Sequence, residues 1–361
     1  MEHPVWSGLD FFILACTMFF GIFLFSAVGV GILHSRHPGP IEQVTRNPSV
    51  WIVIPAMGAA YLVMFVVLYL LAGMRRVPLW SALNWNWPSG LRWTGFVLAG
   101  MTLAMVAGLL EKLLPVPKSL PIEEIFRQPG APQLMALFGV AIAPFIEETL
   151  FRGLLYPISN RWLRDVLNDK QRIRRGRLIF LLLVPLGFAA QWRPPIGGGL
   201  LAVAVLFFTL ALFAKRALEN QLAGAAKVIL PGLIYFSWAL FASHLSRLSL
   251  ERVSVALLLL VLAMTVLGLK LQPGIAATRF GITLAFLLTA ASFALVHSDQ
   301  LGNAWAPVLV LFLVSSVLTF TRAQTKSLAS SFLIHFAYNS TLFGGMYFAT
   351  DHFRHLEHIA R

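Results

Sequence analysis

Apolar residues fall along this chain in long runs, each closed by a short polar or basic stretch. The runs are too long for ordinary strands and lack a strand's alternation. Eleven of them are candidates for helices that cross a bilayer, which takes roughly 20 residues. Their limits are 9–33, 50–73, 94–114, 133–158, 178–192, 199–214, 225–244, 252–271, 279–297, 304–321 and 327–348. The fifth and sixth are short, Pro185 interrupts the fifth, and "RPPIGGG" separates the two. They read as two tilted helices or as one re-entrant hairpin. The expected fold is all-α, a polytopic transmembrane helix bundle of about eleven spans. No series of alternating ten-residue segments points to a barrel instead.

Composition agrees with the pattern. Hydrophobic residues make up 58% of the 361 and charged residues 12%. An ordinary soluble domain carries about a quarter charged residues, so that class is excluded. The net charge is +13. The basic residues sit between apolar runs, as in cytoplasmic loops, so the charge reads as topology and contact with anionic lipid. It does not read as nucleic-acid binding. Loop 159–177, "SNRWLRDVLNDKQRIRRGR", holds seven Lys/Arg and is expected in the cytoplasm. With eleven spans, 17 loop Lys/Arg fall on that side and 7 on the other. The expected orientation is N-terminus in, C-terminus out, in a bacterial inner membrane. The first run follows "MEHPVWSGLDFF", which has no basic n-region, and reads as a retained span. Cys16 is the single cysteine, so neither an intrachain disulfide nor a cysteine metal cluster is expected.

An ionisable group inside a span is costly and marks function by default. The fourth run contains "AIAPFIEETLFRGLLYP". Glu148 and Arg152 are four residues apart and share a helix face, so they can pair. Glu147 points about 100° away from Glu148. A lone carboxylate projecting into a poorly solvated bundle can act as a general base. The plainer reading is a structural ion-pair cluster. His297 ends the ninth run in "SFALVHSDQ", with Phe293 one turn earlier. His335 and Asn339, in "SFLIHFAYNS", are one turn apart and address one target. By themselves they fit interhelical polar contacts equally well. His244, and His352, His355 and His358 of the tail, fit an interfacial or solvated setting better than a metal site.

Together, Glu147, His297, His335 and Asn339 bring a carboxylate, two imidazoles and an amide from three helices. These groups suit hydrolysis. A glutamate and a histidine can deprotonate water, and a histidine and an asparagine can stabilise an oxyanion. Alternatively, the histidines can hold a metal. No HExxH helix and no GxSxG elbow occurs.

"EETLFRG", "FALVH" and "HFAYN", in that order, resemble the EExxxR, FxxxH and HxxxN signatures of the CPBP intramembrane proteases. That family comprises the type II CAAX prenyl endopeptidases and bacteriocin-processing enzymes. The resemblance covers about residues 133–160 and 279–345. It implies an intramembrane endopeptidase acting on a membrane-associated, lipidated or CAAX-type protein or peptide. It implies Glu147 and His297 as the water-activating pair, and His335 and Asn339 at the oxyanion or at a metal. Glu148, Arg152 and Phe293 take supporting places. It is compatible with a metal-free site and with a divalent ion such as zinc held by His297, His335 and Glu147.

About 140 residues separate the first two signatures, far more than the family pattern leads one to expect, so 178–275 reads as inserted spans. The expected units are N-terminal spans 1–130, a catalytic helix and basic loop 131–177, the insertion, catalytic helices 276–350, and a tail 351–361. One count runs against convergence. At about 1.5 Å per residue, Glu147 and His335 lie near the cytoplasmic side, whereas His297 lies about 27 Å from the cytoplasmic end of its span. Two other functions compete: a non-proteolytic scaffold or immunity-type binder of the same fold, and a transporter. The transporter lacks an obvious inverted repeat or paired broken helices.

Overall fold

The structure, a computed structural model, describes residues 5–36, 49–90, 92–117, 120–126, 128–168, 274–298, 300–302 and 304–354. These residues form helices and connecting turns, with no strand among them. In chain order the helices begin with α1 (Gly8–Arg36), α2 (Val50–Met74), α3 (Leu79–Ala82), α4 (Arg92–Leu113) and α5 (Pro121–Phe126). A composite helix follows: α6 (Ala131–Leu137), π1 (Phe138–Ile142), α7 (Ala143–Glu148), π2 (Thr149–Leu155) and α8 (Tyr156–Asn168). The chain then supplies α9 (Ile275–Val296), α10 (Trp305–Thr325) and α11 (Leu328–Ala349).

Six helical stretches among the described residues are long and apolar enough to cross a membrane: α1, α2, α4, the composite helix, α9 and α10. They coincide with the first four, the ninth and the tenth expected spans. The eleventh is α11, of similar length but less apolar, because it carries Ser330, Ser331, His335, Asn339 and Ser340. The spans expected at 178–192, 199–214, 225–244 and 252–271 lie outside the described residues. The chain is an integral membrane protein.

The fourth span differs from its expected limits. Helix continues through 159–168, where a loop was expected. The reason is amphipathic spacing. Tyr156 and Leu163 are buried against Leu284 and Ala285 of α9, with Trp162 packed beside them. Arg161 and Asp165 face outward and pair across one turn at 3.8 Å.

The end of α8 is fastened to the start of α9. Asn168 accepts the backbone N–H of Gly274 at 2.9 Å and donates to Thr278 Oγ1 at 3.1 Å. The two helices run antiparallel from this clamp. Glu147 lies 21 residues before Asn168, and His297 lies 23 residues after Gly274. The two therefore reach the same level. The depth mismatch expected from sequence disappears because both helices extend past the limits read from hydropathy.

Small residues allow the close packing. At Gly281 of α9, an added Cβ would lie 3.2 Å from the backbone nitrogen of Arg164. Across the bundle, Ala104 and Ala107 of α4 pack with Val310, Val314, Ile334 and Tyr338 of α10 and α11. The larger core joins α1, α2 and the composite helix, with Phe293 and Leu328 at its edge.

Gly281→Val tests the α8–α9 contact. The neighbour it meets is backbone, so α8 must move. The expected cost is about 1–3 kcal/mol, read as a fall in the thermal midpoint of the purified protein. An unchanged midpoint would show that this contact does not set the packing.

Candidate active site

Pro144 shapes the composite helix. It has no N–H, and its ring crowds the carbonyl four residues earlier. The backbone answers by widening into π1, where Ala143 N–H bonds to Phe138 O. Such π-helical turns are frequent at functional sites. The Gly139 carbonyl is then left without a helical donor: Ala143 N–H is already used, and residue 144 is proline. Asn339 supplies the donor, with Nδ2 at 2.6 Å from Gly139 O. This bond ties α11 to π1. Glu147 and Glu148 end the α-helical segment that follows, and Arg152 sits in π2.

Glu148 and Arg152 are both fully buried, and their 2.9 Å contact is the i,i+4 pair expected from sequence. Arg152 uses every arm of its guanidinium. Nη2 donates to Ser315 Oγ at 2.6 Å and Ser315 O at 3.0 Å, and Nε donates to Thr319 Oγ1 at 3.3 Å. Its plane lies 4.5 Å over the Phe293 ring, a cation–π contact. Ser315 and Thr319 were not singled out from sequence. The available signal was the run of hydroxyl residues Ser315, Ser316, Thr319 and Thr321 in the second half of α10.

Phe293 is 1% exposed and forms the floor of the site. It stacks beside His297 at 4.7 Å, meets His335 edge-on at 5.6 Å, and meets Phe151 edge-on at 5.2 Å.

The imidazoles are oriented by their Nδ1 atoms. His335 Nδ1 donates to Glu148 Oε1 at 3.0 Å. His297 Nδ1 donates to the Phe293 carbonyl at 2.8 Å. These partners assign the tautomers, because a carbonyl oxygen only accepts and an Arg-paired carboxylate is an acceptor. Both Nε2 atoms then face Glu147. His297 Nε2 is 3.4 Å from Oε1, and His335 Nε2 is 3.7 Å from Oε2. Both separations exceed an ordinary hydrogen bond. Three accepting groups thus confront one another without a donor of their own, which suits a water molecule or an added proton. Glu147 and His297 each keep 18% side-chain exposure, so the point where they meet is reachable.

Glu147, Glu148, Arg152, Phe293, His297 and His335 therefore form one connected cluster. Asn339, one turn from His335, is bonded to Gly139 instead. Imidazole and carboxylate are ligand types that zinc takes. Even so, among the described residues no three His, Cys, Asp or Glu side chains are arranged to hold a metal ion. In the tail, His352 pairs with Asp351 at 3.0 Å, while His355 and His358 lie outside the described residues. His244 also lies outside them.

Beside the cluster runs an open apolar groove of about 450 Å³ between α2, the composite helix and α11. Tyr61, Phe65, Phe145, Ile146 and Phe332 line it, together with Leu62, which is 66% exposed. Ile146, which lines the groove, is the chain neighbour of Glu147, so the groove runs along the same stretch of the composite helix as the cluster.

A family model described as type II CAAX prenyl endopeptidase Rce1-like matches residues 129–341, more than half of the chain. The protein belongs to this family. Membership makes it, in general terms, a CAAX-type intramembrane protease. The matched residues contain the whole cluster, from Gly139 to Asn339, so all three signatures of this type II CAAX prenyl endopeptidase-like chain lie within the family region. No curated protein and no solved structure matches the chain.

Two substitutions separate holding from chemistry. Arg152→Ala leaves Glu148 buried and uncompensated, and is expected to destabilise the protein by about 3–5 kcal/mol, seen as a large drop in thermal midpoint. A small drop would mean that water reaches the carboxylate. Asn339→Ala uncovers the Gly139 carbonyl at an expected cost of about 1–3 kcal/mol. If its midpoint matches wild type while cleavage is lost, the amide acts on substrate rather than on the helix.

Proposed function

We propose that this protein hydrolyses a peptide bond of a lipidated or otherwise membrane-anchored protein, with Glu147 as the base that activates water. The observation that carries the reading is the convergence of two imidazole Nε2 atoms on the two oxygens of one carboxylate.

Glu147 takes a proton from water held between it and His297. The resulting hydroxide attacks the scissile carbonyl carbon. Charge collects on the carbonyl oxygen, where His335 donates when protonated at Nε2, with Glu148 balancing the imidazolium from the other side. Asn339 retains a second N–H after the one given to Gly139, and that hydrogen can also reach an oxyanion. As the C–N bond breaks, the proton held by Glu147 passes to the departing amine. Phe293 and Arg152 act through position: one fixes both imidazoles by packing, the other fixes Glu148. The apolar part of the substrate lies in the groove beside Ile146, which brings the scissile bond to Glu147 from the membrane side.

The test compares wild type with Glu147→Gln on lipidated and unlipidated fluorogenic peptides. The expected result is loss of cleavage by about 100-fold or more, with the thermal midpoint unchanged and with lipidated peptides preferred by wild type. Full activity in Glu147→Gln would falsify the assignment. Wild-type activity is expected to persist in chelator. A loss reversed by zinc would instead make Glu147, His297 and His335 ligands.

A further inference from the structure

The connection between α2 and α4, taken with the first two residues of α4, is "RRVPLWSALNWNWPSGLRW", residues 75–93, and contains no acidic residue. It joins two membrane-spanning helices, so it lies at a membrane boundary. Three of its four tryptophans are exposed: Trp80 49%, Trp87 57% and Trp93 42%. Trp at this level settles among lipid headgroups. Arg76 and Arg92 are exposed as well. Arg75, by contrast, is engaged with Asp10 at 2.6 Å.

The same connection holds the catalytic helices from below. Asn84 O accepts the backbone N–H of Leu328 at 2.9 Å. Ser327, the N-cap of α11, donates its hydroxyl to Asn86 O. The Trp85 ring packs 5.4 Å from Phe145 and 5.4 Å from Phe332. Phe145 is two residues before Glu147, and Phe332 is three before His335.

We infer that this connection is a binding collar for anionic lipid headgroups, and that headgroup binding steadies the spacing between Glu147 and His335. The outward face offers cationic side chains among interfacial tryptophans, which complements a phosphate-bearing lipid surface. The inward face grips the start of α11 and the stretch before Glu147. A headgroup that orders the outer face therefore orders both catalytic helices. The effect on rate rests on the proteolytic reading above; lipid selectivity does not.

The intact protein is reconstituted in phosphatidylcholine bilayers. Tryptophan quenching is then measured with brominated phosphatidylglycerol and with brominated phosphatidylcholine. Wild type is expected to favour the anionic lipid by about five-fold, and 1 M salt is expected to abolish the preference, because charge on an exposed face is screened. The pair Arg76→Gln and Arg92→Gln, made together, is expected to lose it, while Arg76→Lys with Arg92→Lys keeps it. Equal quenching by both lipids in wild type overturns the collar, as does a preference that survives either salt or the Gln pair. In the rate arm, kcat on a lipidated peptide rises with phosphatidylglycerol in wild type and stays flat in the Gln pair. A parallel rise in both overturns the coupling. Absence of cleavage in every lipid counts against the proteolytic reading and leaves the quenching result standing.

Discussion

The buried pair of Glu148 and Arg152 constrains everything around it. In a bundle core a charge is tolerable only when it is compensated and hydrogen-bonded. Arg152 has more donors than one carboxylate can take. The surplus is met by the Ser315 hydroxyl and carbonyl and by Thr319, which fixes α10 against the composite helix. Glu148 in turn takes a hydrogen from His335, which fixes α11. The guanidinium lies over Phe293, which brings α9 into the same assembly. One ion pair thus ties four helices together, and Glu147, His297 and His335 are carried on those helices.

The division between the adjacent glutamates follows. Glu148 is consumed by structure, with no exposure and two cationic or N–H partners on one oxygen. Glu147, turned away by one helical step, is left in looser contact with two imidazoles, at 3.4 and 3.7 Å, and retains some access. That looser, reachable setting is what supports the role proposed for Glu147. Around it the backbone is bent to purpose. Pro144 forces a π-helical turn, and the carbonyl it strands at Gly139 is recovered by Asn339 from α11. The asparagine of the third signature thereby repairs the helix of the first.

Two further features flank the cluster. The apolar groove beside Ile146 opens toward lipid, which suits a substrate already held in the bilayer. The Trp-rich connection between α2 and α4 touches both α11 and the stretch before Glu147.

The sequence by itself determined that this is a helical membrane protein, because 58% apolar residues in runs of spanning length have no other solution in water or lipid. It also determined the Glu148–Arg152 pair, because i,i+4 geometry is local. It identified Glu147, His297, His335 and Asn339 as candidates from their cost in such a setting. It did not reveal that 159–168 continues the helix, since hydropathy alone marked an amphipathic stretch as loop. The level at which His297 meets Glu147 depended on that extension and on the Asn168 clamp to Gly274, a contact across 106 residues. Nor could it pair Asn339 with Gly139, or Arg152 with Ser315, because those partners lie on different helices far apart in the chain. Helical periodicity is written in neighbours and can be read there. Which buried donor satisfies which buried acceptor is decided by how the helices pack, and only the tertiary structure contains it.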